Sequence, residues 1–162
     1  ESSSEEGWLP NYFVSTNYYI DWSEESVLRI RTISNRERNL FYGKKGGDNK
    51  LAAVIRNPYT YFTKGISFSD SGQYSPSYRL GSGALIDQKG SGIFFYERST
   101  IINYLGVLSS RLIKYFMRCM INHTISSHVD SQKELPIILL IDIENLVKKI
   151  IQRQKESSFY AD

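Results

Sequence analysis

The chain has 162 residues, is 41% hydrophobic and 14% aromatic, and carries a formal net charge of +3. This length supports a domain with its own core, and the apolar content excludes an intrinsically disordered chain. A single cysteine, Cys119, excludes an internal disulfide, and His123, His128 and Asp130 are too few ligands to predict a metal site.

The chain begins with ESSSEEGWLP, which contains neither the basic nor the apolar stretch of a signal peptide and no initiator Met. No run in the sequence approaches the ~18 apolar residues that a membrane span requires. We therefore expect a piece of a larger cytoplasmic protein that has no membrane partner.

The positive charge is concentrated in the middle of the chain. Residues 26–98 carry 12 Lys or Arg against 5 Asp or Glu, whereas residues 1–25 carry six acids and neither Lys nor Arg. A cationic excess of this kind is expected of a surface that meets phosphate. An ordinary solvated surface is the alternative.

Short strands and turns are predicted up to about residue 98. The aromatic and β-branched run Asn11–Trp22 favours a strand. Val27–Ile33 alternates apolar and basic residues, which predicts a half-buried strand with arginines on its open face. Tyr42–Lys50 is a glycine-containing loop with three lysines. Further strands are predicted at Leu51–Arg56, Gly65–Ser69, Ala84–Asp87 and Gly92–Glu97, with a long polar loop at Ser69–Gly83.

The period becomes helical from Ser99 onward. Apolar residues recur at steps of three and four from Ile101 to Met120, which predicts one amphipathic helix capped by Ser99 or Thr100. A second helix is predicted from about Asp142, with its basic residues on the solvent side. The predicted fold class is α+β, a twisted and mostly antiparallel sheet followed by two amphipathic helices.

Asn57-Pro58-Tyr59 is one proline short of the Asn-Pro-Pro-Tyr motif of amino-group DNA methyltransferases. Such an enzyme holds the exocyclic amine of a flipped base and stacks an aromatic ring on that base. It also needs a glycine loop for S-adenosylmethionine within alternating βα units, and no helix is predicted after the glycine pair in Leu80–Leu85. We therefore predict a turn at Asn57-Pro58 and a fragment without catalytic residues or a cofactor of its own.

Several short motifs follow one another from Arg56 to Ile151. In this order they resemble the target recognition domain of type IIG restriction-modification enzymes and BREX-type adenine-N6 methyltransferases. They are similar, more distantly, to one half of a type I restriction specificity subunit. Ser67-Phe68 and Ser109 depart from the family pattern, which has Thr-Trp and Asn. The residues in corresponding places are Arg56, Asn57, Pro58, Tyr61, Phe62, Gly65, Ile66, Phe68, Ser69, Ile86, Asp87, Gly90, Ser91, Gly92, Ile93, Phe94, Phe95, Leu105, Gly106, Val107, Leu108, Ser109, Ser110, Arg111, Leu135, Pro136, Ile137, Leu146, Val147, Ile150 and Ile151.

The resemblance implies a non-catalytic DNA target recognition domain over residues 1–141, followed by a spacer helix and tail over residues 142–162. Its partners would be double-stranded DNA and a catalytic methyltransferase domain of the same chain. S-adenosylmethionine would bind that catalytic domain and not this fragment.

Base edges in the major groove are read by side chains such as Gln, Arg and Asp, whereas Lys and Arg on phosphates set the register. In the resembled family the segment after the Asn-Pro motif varies, so base readers are predicted in the polar loop: Ser69, Asp70, Gln73, Tyr74, Tyr78 and Arg79. The predicted phosphate contacts are Arg29, Arg31, Lys44, Lys45, Lys50, Arg56 and Lys64. A solvated side chain is the alternative for each of them.

Two other functions fit the sequence. One is a protein-interaction or scaffold domain whose positive charge is incidental. The other is a fragment of a methyltransferase catalytic domain, which the missing second proline disfavours.

Overall fold

Three short antiparallel strands form the sheet, in the order β2-β1-β3. They are β1 (Gly65–Ser69), β2 (Tyr78–Gly81) and β3 (Gly90–Ile93). The computed structural model describes residues 11–15, 19–53, 55, 57–69, 76–81, 83, 85, 90–97, 100–122, 124, 128–138 and 143–159. Together with six α-helices in these residues, the sheet confirms the predicted α+β class.

The chain divides into two compact units, one made of Glu1–Thr16 and Thr60–Asp162 and the other of Asn17–Tyr59. In the described part of the first unit lie the sheet and four α-helices, which we number after the two helices of the second unit. They are α3 (Ile101–Leu108), α4 (Arg111–Phe116), α5 (Val129–Lys133) and α6 (Ile143–Phe159). A π-helical segment, Met117–Ile121, follows α4 directly.

The core of the first unit lies where the sheet meets the helices. Ile66 and Phe68 of β1 are buried because alternate side chains of a strand point to the same face. Leu105 of α3 and Val147 of α6 are also buried in this core. A Cβ added to Gly106 would lie 2.7 Å from Cγ2 of Val147. Helices α3 and α6 therefore approach closely at Gly106, because glycine has no side chain.

Helix α6 is packed into the core of the first unit. Val147 and Ile151 of this helix are both buried, because an amphipathic helix is stabilised by docking its apolar face. The helix predicted from about Asp142 is therefore present, with Val147 and Ile151 covered and Leu146 exposed. Its role as a spacer between domains stays a prediction.

Among its described residues, the second unit has two α-helices, α1 (Glu24–Thr32) and α2 (Asn35–Phe41). None of its described residues is fully buried. The strand predicted over Val27–Ile33 is wrong, because these residues lie in α1 and at its end. Ser23 caps this helix by accepting a hydrogen bond from the N–H of Ser26, and two glutamates occupy its first turn.

Other predicted strands differ in extent. In Asn11–Trp22 and Leu51–Arg56, the described residues form isolated bridges at Tyr12 and Leu51 instead of strands. Gly65–Ser69 is a strand as predicted, whereas most of Ala84–Asp87 lies outside the described residues. The segment predicted as one polar loop, Ser69–Gly83, contains strand β2.

The single helix predicted over residues 101–120 is three consecutive segments. Ser109 ends the first helical run. The hydroxyl of Ser110 then caps the next run by accepting a hydrogen bond of 3.3 Å from the N–H of Ile113. Serine at a helix boundary competes for backbone hydrogen bonds, so the apolar periodicity continues while the helix is interrupted.

Candidate nucleic-acid interface

The lysine loop, Tyr42–Lys50, folds back along α2 and is held there by hydrogen bonds. The N–H of Lys44 donates to the carbonyl of Asn39 at 2.8 Å. The side-chain amide of Asn39 donates in turn to the carbonyl of Gly46 at 3.1 Å. Further along, the N–H of Arg36 donates to the carbonyl of Asp48 at 3.0 Å. These hydrogen bonds fix the backbone of the loop that carries the lysines.

Gly47 is the point of close approach between this loop and α2. Its φ is +122°, and an added Cβ would lie 2.8 Å from Cα of Arg36. A residue with a side chain would meet backbone there and would also adopt an unfavourable conformation. Glycine is therefore required at this position for the loop to lie against the helix.

The predicted phosphate contacts in this unit are exposed wherever the structure describes them. Lys44, Lys45 and Lys50 of the loop and Arg29 and Arg31 of α1 are all exposed. Exposed Lys and Arg side chains can reach phosphate oxygens without first leaving a buried position. The arrangement therefore suits electrostatic binding of a polyanion.

Two further arginines of this unit, Arg36 and Arg38, were not predicted as contacts. Both are exposed on α2, and Arg38 also donates a hydrogen bond of 3.1 Å to the carbonyl of Ala52. The signal that could have found α2 is Ser34 followed three residues later by Glu37, the pattern of a capping box. That box is present in the structure.

The capping box also affects the electrostatics of the unit. One carboxylate oxygen of Glu37 accepts hydrogen bonds from the N–H and the hydroxyl of Ser34, both at 2.8 Å. The backbone hydrogen bond is the larger cause and the hydroxyl the smaller cause that hold the pKa of Glu37 below its ordinary value of 4.5. Glu37 is therefore ionised at neutral pH, and its carboxylate is hydrogen-bonded to Ser34 at the start of α2.

An aromatic pair ends α2 next to the lysines. The rings of Phe41 and Tyr42 lie edge to face, with centroids 5.4 Å apart. The guanidinium carbon of Arg29 lies 5.1 Å from the centroid of Phe41, within the range of a cation–π interaction. Phe41 is 66% exposed and Tyr42 is 67% exposed, so the pair forms an apolar surface among cations.

Two of the predicted base readers are buried, which corrects their assignment. Tyr78 and Arg79 lie in β2 and not in a loop, and they are 0% and 2% exposed. The hydroxyl of Tyr78 donates to Oε1 of Gln132 at 2.6 Å, and burial raises the pKa of this hydroxyl. Neither side chain reaches the surface in this arrangement, so neither is placed to contact a base edge.

Arg79 instead joins the two ends of the β1–β2 connection. Its guanidinium group donates to the hydroxyls of Ser69, at 3.1 Å, and Ser77, at 3.0 Å. The N–H of Ser69 also donates to the carbonyl of Ser77 at 3.3 Å. Ser69, itself a predicted base reader, is half-buried at the end of β1. The other three predicted base readers, Asp70, Gln73 and Tyr74, lie outside the described residues, as does the predicted phosphate contact Arg56.

The last predicted phosphate contact, Lys64, is exposed directly before β1. It belongs to the first unit, whereas the lysine loop belongs to the second. The candidate contacts are thus distributed over two units, and each unit presents its own exposed cations.

The Asn-Pro motif forms a turn, as predicted. Asn57 has a φ of +49°, and a 3-10 helix, Pro58–Thr60, follows it. The amide oxygen of Asn57 accepts a hydrogen bond of 3.3 Å from the hydroxyl of Tyr59. The side chain that a methyltransferase would aim at the exocyclic amine is therefore engaged within its own turn.

Comparison with known proteins gives no match, either to a protein-family model or to a curated sequence. Within the described residues, no group of three or more His, Cys, Asp or Glu side chains is placed to hold a metal ion. The described helices also include none that is both long enough and apolar enough to cross a membrane.

Proposed function

We propose that this chain is a DNA target recognition domain, non-catalytic by itself, within a cytoplasmic adenine-N6 methyltransferase or restriction-modification enzyme. S-adenosylmethionine and the methyl-transfer residues belong to other parts of that protein. The main support for the proposal is the lysine loop. Its lysine side chains are exposed, and its backbone is hydrogen-bonded to α2.

Phosphate contacts are assigned to the lysine loop and to the exposed arginines of α1. A duplex places phosphates at regular intervals, so cations on an ordered backbone set a register that a flexible tail would not. The exposed positions that support this role are Arg29, Arg31, Lys44, Lys45 and Lys50.

Base reading is assigned to the connection between β1 and β2. Burial removes Tyr78 and Arg79 from the predicted readers. The assignment therefore rests on Ser69 and on the sequence-based prediction for Asp70, Gln73 and Tyr74. Arg79 supports this role indirectly, because it binds the serines at both ends of the connection.

A salt titration of duplex binding tests the proposal. We expect the logarithm of the affinity to fall linearly with the logarithm of salt concentration, because bound cations release counterions from DNA. Replacing Lys44 and Lys45 by Ala should reduce the slope by about 2, close to one per lost phosphate contact. No binding of the wild-type chain at low salt would overturn the proposal.

Lys148 and Lys149 provide a matched control, since they form another exposed pair of adjacent lysines, on α6. Replacing both by Ala removes the same charge, and we expect the slope to stay the same. A slope that falls equally in both double variants would indicate a general charge effect and would contradict the assignment to the lysine loop.

One observation favours the protein-interaction alternative. Leu112 and Tyr115 of α4 are each 59% exposed, and their spacing of three places them on one face. The partner that the resemblance implies is the methyltransferase domain of the same protein. If the chain is a DNA recognition domain, Leu112→Glu should weaken association with that domain and leave duplex binding unchanged. If it is a scaffold without DNA affinity, Leu112→Glu should weaken the same association, and neither the variant nor the wild type should bind the duplex.

A further inference from the structure

We infer that Tyr42, supported by Phe41, is a stacking site for an unpaired nucleobase. The inference rests on the proposed function, because it concerns the form of DNA that the lysine loop holds. It predicts that a duplex with one unpaired nucleotide binds more tightly than a fully paired duplex.

The first argument is the exposure of the two rings. A cluster of exposed aromatic side chains is unusual on a surface and indicates a binding site more often than a single exposed residue does. Phe41 and Tyr42 are adjacent, and each exposes about two thirds of its area, 66% and 67%. Their edge-to-face contact at 5.4 Å supports Tyr42 from one side.

The second argument is that the pair is fixed in place. Phe41 ends α2, and the N–H of Tyr42 continues the helical pattern by donating to the carbonyl of Arg38 at 3.2 Å. The Arg29 guanidinium over the Phe41 ring links the pair to α1. A ring held by its neighbours loses little conformational freedom when a base stacks on it.

The third argument is the position of the cations. Lys44 and Lys45 follow Tyr42 by two and three residues, and the turn between them is ordered by Gly43, whose φ is +67° and whose N–H donates to the carbonyl of Leu40. Proteins that bind single-stranded nucleic acid combine aromatic stacking with cations along the backbone. The same combination distinguishes this surface from an apolar protein-docking surface.

The probe is a DNA duplex with a single bulged 2-aminopurine, compared with the fully paired duplex of the same sequence. We expect the bulged duplex to bind on the order of tenfold more tightly and the 2-aminopurine fluorescence to be quenched on binding. Tyr42→Ala should abolish the preference and the quenching, and Tyr42→Phe should retain both. Circular dichroism verifies that each variant is folded.

Tyr19 supplies the control, because it is 95% exposed in the same unit but has acidic residues after it in the sequence. Tyr19→Ala should keep the preference. Salt-dependent binding of both duplexes with equal affinity would overturn this inference and leave the proposed function standing. Failure to bind either duplex would overturn the proposed function as well.

Discussion

The guanidinium group of Arg79 donates a hydrogen bond of 3.1 Å to the hydroxyl of Ser69, the last residue of β1. The same group reaches Ser77, so one buried cation connects both ends of the β1–β2 connection. Because a buried charge is stable only when it is hydrogen-bonded or paired, these hydrogen bonds make Arg79 a residue that holds Ser69 and Ser77 together.

Arg79→Ala should destabilise the protein by about 1–3 kcal/mol, since it removes charge-assisted hydrogen bonds from the two serine hydroxyls. Urea denaturation measures this change. Arg111 is an exposed arginine of α4, and Arg111→Ala should change the stability by less than ~0.5 kcal/mol. An Arg79→Ala variant of unchanged stability that loses base preference would return Arg79 to the base readers.

The burial of Arg79 has no local signal in the sequence. This burial depends on the pairing of Arg79 with Ser67 across the sheet and on the backbone of Tyr12 beside β2. Both contacts join residues that are distant in the sequence. By contrast, β1 was predictable because Gly65–Ser69 has an alternating pattern and follows a turn.

Helices α1 and α2 carried local signals that compete with the alternation in Val27–Ile33. Ser23 with Glu24 and Glu25, and Ser34 with Glu37, are helix N-terminal patterns. In a run this short, the alternation of apolar and polar residues does not by itself distinguish a strand from a helix. The exposure of the arginines in these two helices was predictable in spite of this error, because Lys and Arg are mostly exposed in any type of element.

Gly47→Ala should detach the lysine loop from α2. The new Cβ would meet backbone of Arg36 at 2.8 Å and would be strained at a φ of +122°. Amide hydrogen exchange should show lower protection at Lys44, whose N–H is bonded to Asn39, and duplex binding should weaken without any change of charge.

Gly46→Ala is the matched control for that change. Gly46 also has a positive φ, +86°, but an added Cβ would meet nothing within 4 Å. It should therefore cost only the backbone strain of about 1–2 kcal/mol and affect the loop less. Equal loss of protection in both variants would argue against the close approach at Gly47.

Gly106→Ala should destabilise the contact between α3 and α6. The added methyl group would lie 2.7 Å from Cγ2 of Val147, which is 1% exposed, and overpacking of a core typically costs about 1–3 kcal/mol. Thermal or urea denaturation measures the loss. Leu146→Ala on the exposed side of α6 is the control and should have a small effect.

A double variant separates steric overlap from other causes. If the methyl group of Gly106→Ala meets Val147, then Val147→Ala should cost less in the Gly106→Ala background than in the wild type. Strictly additive effects of the two substitutions would contradict the close approach of the helices.

Acid should weaken α2 through its capping box. The pKa of Glu37 is lowered in the folded protein, so its contribution to stability is present above the unfolded-state pKa and is lost as the pH falls through the folded-state value. Hydrogen exchange of α2 amides, compared between pH 7 and acid, should show this loss.

Glu37→Gln keeps an oxygen acceptor for Ser34 but cannot change its charge. Its α2 amides should be less protected than those of the wild type at neutral pH, and the difference should shrink as the pH falls below the ordinary glutamate value of 4.5. Glu97→Gln, at an exposed position outside α2, should leave the α2 amides unaffected. A wild-type α2 that keeps full protection after protonation of Glu37 would show that the carboxylate does not stabilise this helix, because the linkage between protonation and folding allows no other result.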